Sequence, residues 1–147
     1  MAGSSNGVLQ LANETLTTSN TTNLGGGAIV GAPAVGSDKV IYVSTRGKKL
    51  FALDTAPGTP ETATKLWEVD LGASSDSSPA LDCSRDASGA AIPGRPGVLY
   101  VGADDGKLYA FITDSRGLDT TAPWPKFHRD PRNSADATVD LNTFKCP

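Results

Sequence analysis

Four groups of residues in this sequence have types and spacings that could do chemistry. The first is Asp104-Asp105-Gly106, inside "VGADDGKLYAF" (Val101–Phe111), which could open a calcium loop or supply an acid–base pair of carboxylates. An EF-hand loop needs oxygen ligands at alternating positions and a glutamate at position 12. Counted from Asp104 that position is Ser115, and the intervening "KLYAFIT" has no alternating carboxylates. Glycoside chemistry needs two acids roughly 5–10 Å apart across a cleft, which neighbours at a turn tip do not supply. A hairpin turn accounts for both acids, because Asp and Gly tolerate positive φ.

The second group is His128 with Asp130 and the plentiful serines, which on paper suggests a Ser-His-Asp triad. The sequence holds no Gly-x-Ser-x-Gly elbow, and "SSDSSPA" leads into a strand. Within a Pro-rich segment, His128 and Asp130 read as turn caps. The third group is the cysteine pair, Cys83 and Cys146, with no CxxC spacing. One histidine cannot complete a zinc set with two isolated cysteines, and a thiol nucleophile would have His128 as its sole imidazole base. The expectation is a single disulfide. Closing so long a loop stabilises a fold by roughly 4 kcal/mol in the chain-entropy account, and it implies an oxidising compartment.

The fourth group is the tail "PWPKFHRDPRN", where Lys126, His128, Arg129 and Arg132 interleave with Trp124 and Phe127. That mixture resembles a single-strand nucleic-acid surface. Asp130 and the net charge of −3 oppose it, so no nucleic-acid partner is expected. The three prolines predict an extended strap that packs Trp124 and Phe127 onto the sheets. Trp124, Phe127, His128, Arg129 and Arg132 are the candidate protein-interaction surface. No catalytic, cofactor-binding or metal-ligating residue is assigned anywhere in the chain.

The elements that position these residues follow from composition and pattern. A chain of 147 residues is the size of one domain, and its 16 Gly and 10 Pro exceed average usage. No apolar run approaches the ~20 residues that span a bilayer, so no transmembrane segment is expected. The opening "MAGSSNGVLQL" lacks the basic and apolar regions of a signal peptide. With the cysteines, that reads as a mature or excised segment of an exported protein. Residues 1–27 are Thr/Asn/Ser-rich and are expected to be mobile or loosely packed, with "GVLQLA" as one edge strand. Asn13-Glu14-Thr15 and Asn20-Thr21-Thr22 fit the glycosylation sequon, a pattern frequent by chance in such sequence.

From residue 28 short apolar runs alternate with turn residues: "AIVGAPAV", "KVIYVST", "KKLFALD" and "KLWEVDLG". In the last, Trp67, Val69 and Leu71 share one face while Glu68 and Asp70 take the other, the period of a half-buried strand. The fold class is therefore all-β and mostly antiparallel. The runs also repeat. Val40, Tyr42 and Val43 fall on Val98, Tyr100 and Val101, and Leu50, Phe51 and Ala52 fall on Leu108, Tyr109 and Ala110, all at an offset of 58. "GAPAV" (Gly31–Val35) falls on "SSPAL" (Ser77–Leu81) at an offset of 46. The difference marks an insertion near residues 82–94 that carries Cys83. The counterpart of the Asp-Asp-Gly turn, around Thr45-Arg46, has no acids, so the repeat itself does not need them. The chain divides into residues 1–27, two repeats at 28–76 and 77–121, and a Pro/aromatic strap at 122–147. Four strands per unit of 40–50 residues is the pattern of a β-propeller blade.

The strings "APAV…KVIYVSTRGKKLFALD…KLWEVDLG" and "SPAL…GVLYVGADDGKLYAF" resemble the repeats of pyrroloquinoline-quinone-type (quinoprotein-like) β-propellers. "APWPKFHRDPRNSADA" (Ala122–Ala137) is similar to a Trp-Pro-x-Phe-x-x-Asp-x-x-Asn segment common in bacterial members. The resemblance implies antiparallel four-stranded blade-like sheets and an incomplete propeller, either the C-terminal part of a longer one or a short relative. The loop before Trp67 is longer than the family's, and the second repeat lacks a Trp strand. The Trp124 segment supplies that strand or closes onto a neighbouring blade. Family enzymes hold quinone on the axis of a full ring, and no residue here matches that motif, so no cofactor is expected. The expected role is a non-enzymatic, exported bacterial scaffold or protein-interaction module, with a protein or further blades of the same parent chain as partner. The alternative is the terminal blades of a quinone-dependent dehydrogenase whose active site lies outside this chain.

Overall fold

The computed structural model describes residues 1–12, 19–55 and 63–147. Among these residues the fold is all-β, with three antiparallel sheets and no closed barrel. The first sheet has the order β1 (Ala2–Gly3), β2 (Val8–Ala12), β3 (Ser19–Asn23). The second is β4 (Ala34–Val35), β5 (Ile41–Ser44), β6 (Lys49–Thr55), β7 (Ala63–Asp70). The third is β8 (Ala80–Asp82), β9 (Gly97–Gly102), β10 (Leu108–Thr113), and a 3₁₀ turn follows at Leu141–Phe144. The first repeat thus forms the four expected strands and the second forms three. Among the described residues no helix is long and apolar enough to cross a membrane.

The sheets stack with the second in the middle, and alternation along its strands explains why. Ile41, Val43, Phe51 and Leu53 point one way and pack with Leu9, Leu11 and Ile29. Val40, Tyr42, Leu50 and Ala52 point the other way and pack with Leu81, Leu99 and Val101. A strand covered on both faces reads as a continuous apolar run, which is what "VIYVS" and "LFAL" are. Strand β7 is covered on one face only. Trp67 and Val69 are half-buried against the second core and Leu71 is buried, while Glu68 and Asp70 are exposed, as the alternation predicts. Leu66 is the extra residue where the pairing steps from Ala52↔Trp67 to Leu53↔Lys65, and this bulge leaves it 51% exposed.

The repeat read from sequence recurs in the pairing register. Ala34↔Tyr42 and Val35↔Ile41 in the second sheet become Ala80↔Tyr100 and Leu81↔Leu99 in the third. Tyr42↔Ala52 and Val43↔Phe51 become Tyr100↔Ala110 and Val101↔Tyr109. The hairpin turns match as well. The Thr45 N–H donates to the Lys49 carbonyl (2.9 Å) and the Lys48 N–H to the Thr45 carbonyl (3.2 Å). Ala103, Gly106 and Lys107 make the same two bonds at 3.1 Å each. Asp104 and Asp105 therefore stand opposite Arg46 and Gly47, one residue on from the pairing with Thr45-Arg46 read from sequence.

The first sheet is a third copy that the sequence reading did not find. Ser4 and Val8 bond as Thr45 and Lys49 do (3.0 Å), and the Gly7 N–H donates to the Ser4 carbonyl (3.2 Å). Gly7, Lys48 and Gly106 all hold positive φ, at 78°, 64° and 75°. Leu9 and Leu11 then occupy the positions of Leu50 and Ala52 and face the next sheet, fully or nearly buried. Of residues 1–27, expected to be mobile or loosely packed with one edge strand, the described ones carry a paired sheet with two core leucines, in which that strand, β2, is the middle one. Few leucines suffice because only one face is covered. Gln10 is exposed where the second copy buries Phe51, and its neighbours Ser19, Thr21 and Asn23 are exposed too.

After β10 the chain crosses back to the middle sheet. The Asp119 N–H donates to the Val35 carbonyl (2.9 Å), the Val35 N–H donates to the Pro125 carbonyl (2.8 Å), and Leu118 bridges Gly36. The strap thus closes onto the neighbouring sheet at β4 and does not complete its own. Lys39 and Asp119, 2.6 Å apart, fasten the crossing.

Candidate interaction surface

The Asp-Asp-Gly turn forms a hairpin in which Asp105 has a structural role. The Tyr109 hydroxyl donates to its carboxylate (2.8 Å) and accepts the Gly72 N–H (2.8 Å), joining the second and third sheets. The Tyr109 bond, and then Lys107, hold the Asp105 carboxyl below the usual carboxylate range. Asp104 is fixed through its backbone, its N–H donating to the Ser74 carbonyl (2.9 Å). The groups that looked like chemistry thus bind two sheets together.

Cys83 and Cys146 stand at disulfide distance, with sulfurs 2.06 Å and Cα atoms 5.5 Å apart. The bond ties the end of the strap to the insertion of the second repeat. Among the described residues no group of three or more His, Cys, Asp or Glu side chains is placed to hold a metal ion. Asn20 lies exposed on β3, whereas Asn13 lies outside the described residues.

The strap reverses the packing expected from its composition. Trp124 and Phe127, expected to pack on the sheets, are half-exposed at 50% and 49%, while Lys126 and Arg129 are buried and Asp130 is fully so. The loop builds its own polar interior because its backbone carbonyls have no ladder to join. The Arg129 guanidinium donates to the carbonyls of Pro123, Asp136 and Val139 at 2.7–3.0 Å. The Lys126 ammonium donates to the carbonyls of Phe127 (2.8 Å) and Asp130 (3.1 Å), and burial holds its pKa below the ordinary lysine value. The Asp130 carboxylate accepts the Ser134 hydroxyl and the N–H groups of Arg132 and Ser134. Arg129 is therefore corrected from surface residue to internal clamp. Trp124, Phe127, His128 and Arg132 remain outside. His128 stacks on Phe127 with centroids 4.0 Å apart, and Arg132 lies over the Phe144 ring at 5.2 Å. The Asp130 carboxylate is engaged with Ser134 and Arg132, while His128 Nδ1 lies 3.2 Å from the Asn133 carbonyl.

A larger apolar surface was missed at the sequence level. On the outer face of the third sheet, Ile112 is 80% exposed, Leu108 70% and Tyr100 36%, with Ala80 and Ala110 beside them. Cross-strand pairing places Ala80, Tyr100 and Ala110 in one row and Asp82, Val98 and Ile112 in the next. By the repeat, Leu108, Ala110 and Tyr100 correspond to Leu50, Ala52 and Tyr42, which are 0–2% exposed beneath the third sheet. The signal was present in "VLYVG" and "LYAFI", where residues of both parities are apolar. Asp82, paired with Arg85 at 2.8 Å, stands at the rim.

A second feature is a cleft of about 960 Å³ beside β8, with Met1, Val30, Phe127 and Tyr100 as its exposed apolar walls. Asp76 and Asp82 also line it. Hydrogen bonds from Arg46 and Arg85, respectively, hold their carboxyls below the usual range. No family model matches this chain, and no curated protein matches it.

Proposed function

We propose that the chain is a non-enzymatic repeat-sheet scaffold of the pyrroloquinoline-quinone-type propeller kind, exported, that works by docking a partner sheet. The observation that carries this is the uncovered face of Tyr100, Leu108 and Ile112. At the positions of Tyr100 and Leu108 the second sheet buries Tyr42 and Leu50 beneath the third, and at the position of Leu108 the first sheet buries Leu9 beneath the second. The position of Ile112, by contrast, is the half-exposed Asp54 in the second sheet. An apolar patch of this kind marks an interaction site on a protein surface. The partner is a protein, or further blades of the same parent polypeptide, that presents a sheet face of Leu, Val and aromatic residues. The disulfide supports an oxidising destination. The double variant Leu108→Glu/Ile112→Lys tests the reading. Wild-type chain should associate as its concentration rises in sedimentation velocity, and the variant should not, with its melting temperature unchanged. A wild type that stays monomeric at millimolar concentration contradicts the docking role.

The shared register of the sheets favours a second reading, the terminal blades of a quinone-dependent dehydrogenase. A ligand that binds only the folded chain must raise its melting temperature. Quinone with calcium should give no saturable rise, and a saturable rise would favour the dehydrogenase.

A further inference from the structure

We infer that the cleft beside β8 binds an extended polypeptide segment by adding it as a strand to the inner edge of the third sheet. This site adjoins the uncovered sheet face, with which it shares Ala80 and Tyr100. The chain itself shows what such an edge accepts. In the second sheet, Val35 turns its N–H and C=O away from β5, and the chain after β10 takes both: Asp119 donates to the carbonyl (2.9 Å) and Pro125 accepts from the N–H (2.8 Å). Gly117–Asp119 runs antiparallel along this edge, with Leu118 buried.

Leu81 holds the same position in the third sheet. Hydrogen bonding alternates residue by residue along an antiparallel pair. Ala80↔Tyr100 repeats Ala34↔Tyr42, and Leu81↔Leu99 repeats Val35↔Ile41. The Leu81 side chain enters the second core, the residue as a whole is 4% exposed, and by that alternation its N–H and C=O take the edge opposite β9, along the cleft. The chain after β10 hydrogen-bonds to β4, and at β8 the strap's Lys126, Phe127, Pro131 and Asn133 only line the cleft, so the third sheet keeps an edge whose counterpart in the second is filled. Around it, Val30, Phe127, Met1 and Tyr100 offer apolar contact, while Arg46 and Arg85 already neutralise Asp76 and Asp82. The ligand class is therefore an extended peptide read through two main-chain hydrogen bonds, with a leucine-like side chain at its centre. Strand addition of this kind takes affinity from the backbone and selectivity from pockets for alternate side chains.

The probe is the capped synthetic peptide SRGLDTTAPWP, which copies Ser115–Pro125 and so carries both the Asp119 donor and the Pro125 acceptor. Titrated into the intact chain and followed by amide NMR, it should shift the Leu81 amide saturably and leave Val35 unmoved. N-methylation at the peptide's aspartate removes one hydrogen bond and should weaken binding about tenfold, as expected for loss of roughly 1.4 kcal/mol. Phe127→Ala should weaken binding several-fold with the melting temperature unchanged. Three results would overturn the site: a Leu81 amide already protected from exchange in the free chain, no shift up to millimolar peptide, or equal binding of the N-methylated peptide.

Discussion

Leu50 and Leu108 are the same residue at the same place in two copies of one repeat, yet Leu50 is 0% and Leu108 70% exposed. Their truncation separates burial from sequence pattern. Removing the side chain down to alanine at Leu50 takes about three buried carbons out of the core, roughly 2.4 kcal/mol at about 0.8 per methylene. The cavity left between two sheets adds to this, so Leu50→Ala should cost about 3–4 kcal/mol, within the usual range for core leucines. At Leu108 less than a third of that surface is covered, and no cavity forms at an open face, so the cost should be roughly 0.5–0.7 kcal/mol. Both sites are strand positions, so the lower β-propensity of alanine subtracts about equally from each. Urea unfolding of the two variants under the same conditions, with matching m-values, measures the difference. Equal losses would refute the stack, because they would mean that Leu108 is covered within the chain or that Leu50 is not.

Replacing Cys83 and Cys146 by serine opens a loop with a sequence separation of 63 and should cost roughly 4 kcal/mol. A loss below about 1 kcal/mol in guanidinium titrations would show that the strap is held without the bond. Gly31→Ala puts a Cβ 2.3 Å from the Ser77 carbonyl, where the two Pro-Ala segments touch, and should lower the melting temperature by several degrees. Burial alone would raise the Asp119 carboxyl, but the bonds from Lys39 and Thr121 outweigh it and leave it below its ordinary 3.8. The unfolded chain therefore takes up that proton first as pH falls. The stabilisation is complete above the ordinary value and is lost as pH drops through the folded one. Asp119→Asn should flatten this acid limb in pH-dependent unfolding, and an unchanged limb would assign it to other carboxylates.

What could be read from sequence was whatever depends on local period and on repetition. The alternation in "KLWEVDL" gave the half-buried β7, and the offsets of 58 and 46 anticipated the register between the second and third sheets. The first sheet escaped because its outer face is polar: Gln10, Ser19 and Thr21 dilute the two leucines that carry the packing. The strap escaped for the opposite reason. Composition places aromatic residues inside and cations outside, but an irregular segment must first satisfy its carbonyls, and buried Lys126 and Arg129 do so. The uncovered face was visible as apolar residues of both parities in β9 and β10. Sequence alone could not say which parity would be left without a neighbour, since that depends on the order of the stack.

The most direct test of the central claim is the exposure of methyl groups to a soluble paramagnetic probe, read by carbon–proton NMR as partner or chain concentration rises. At low concentration the Leu108 and Ile112 methyls should be strongly broadened and the Leu50 and Leu9 methyls untouched. As the face becomes occupied, Leu108 and Ile112 should recover. Broadening of Leu108 no greater than that of Leu50 in dilute chain would contradict the open stack and the docking role drawn from it.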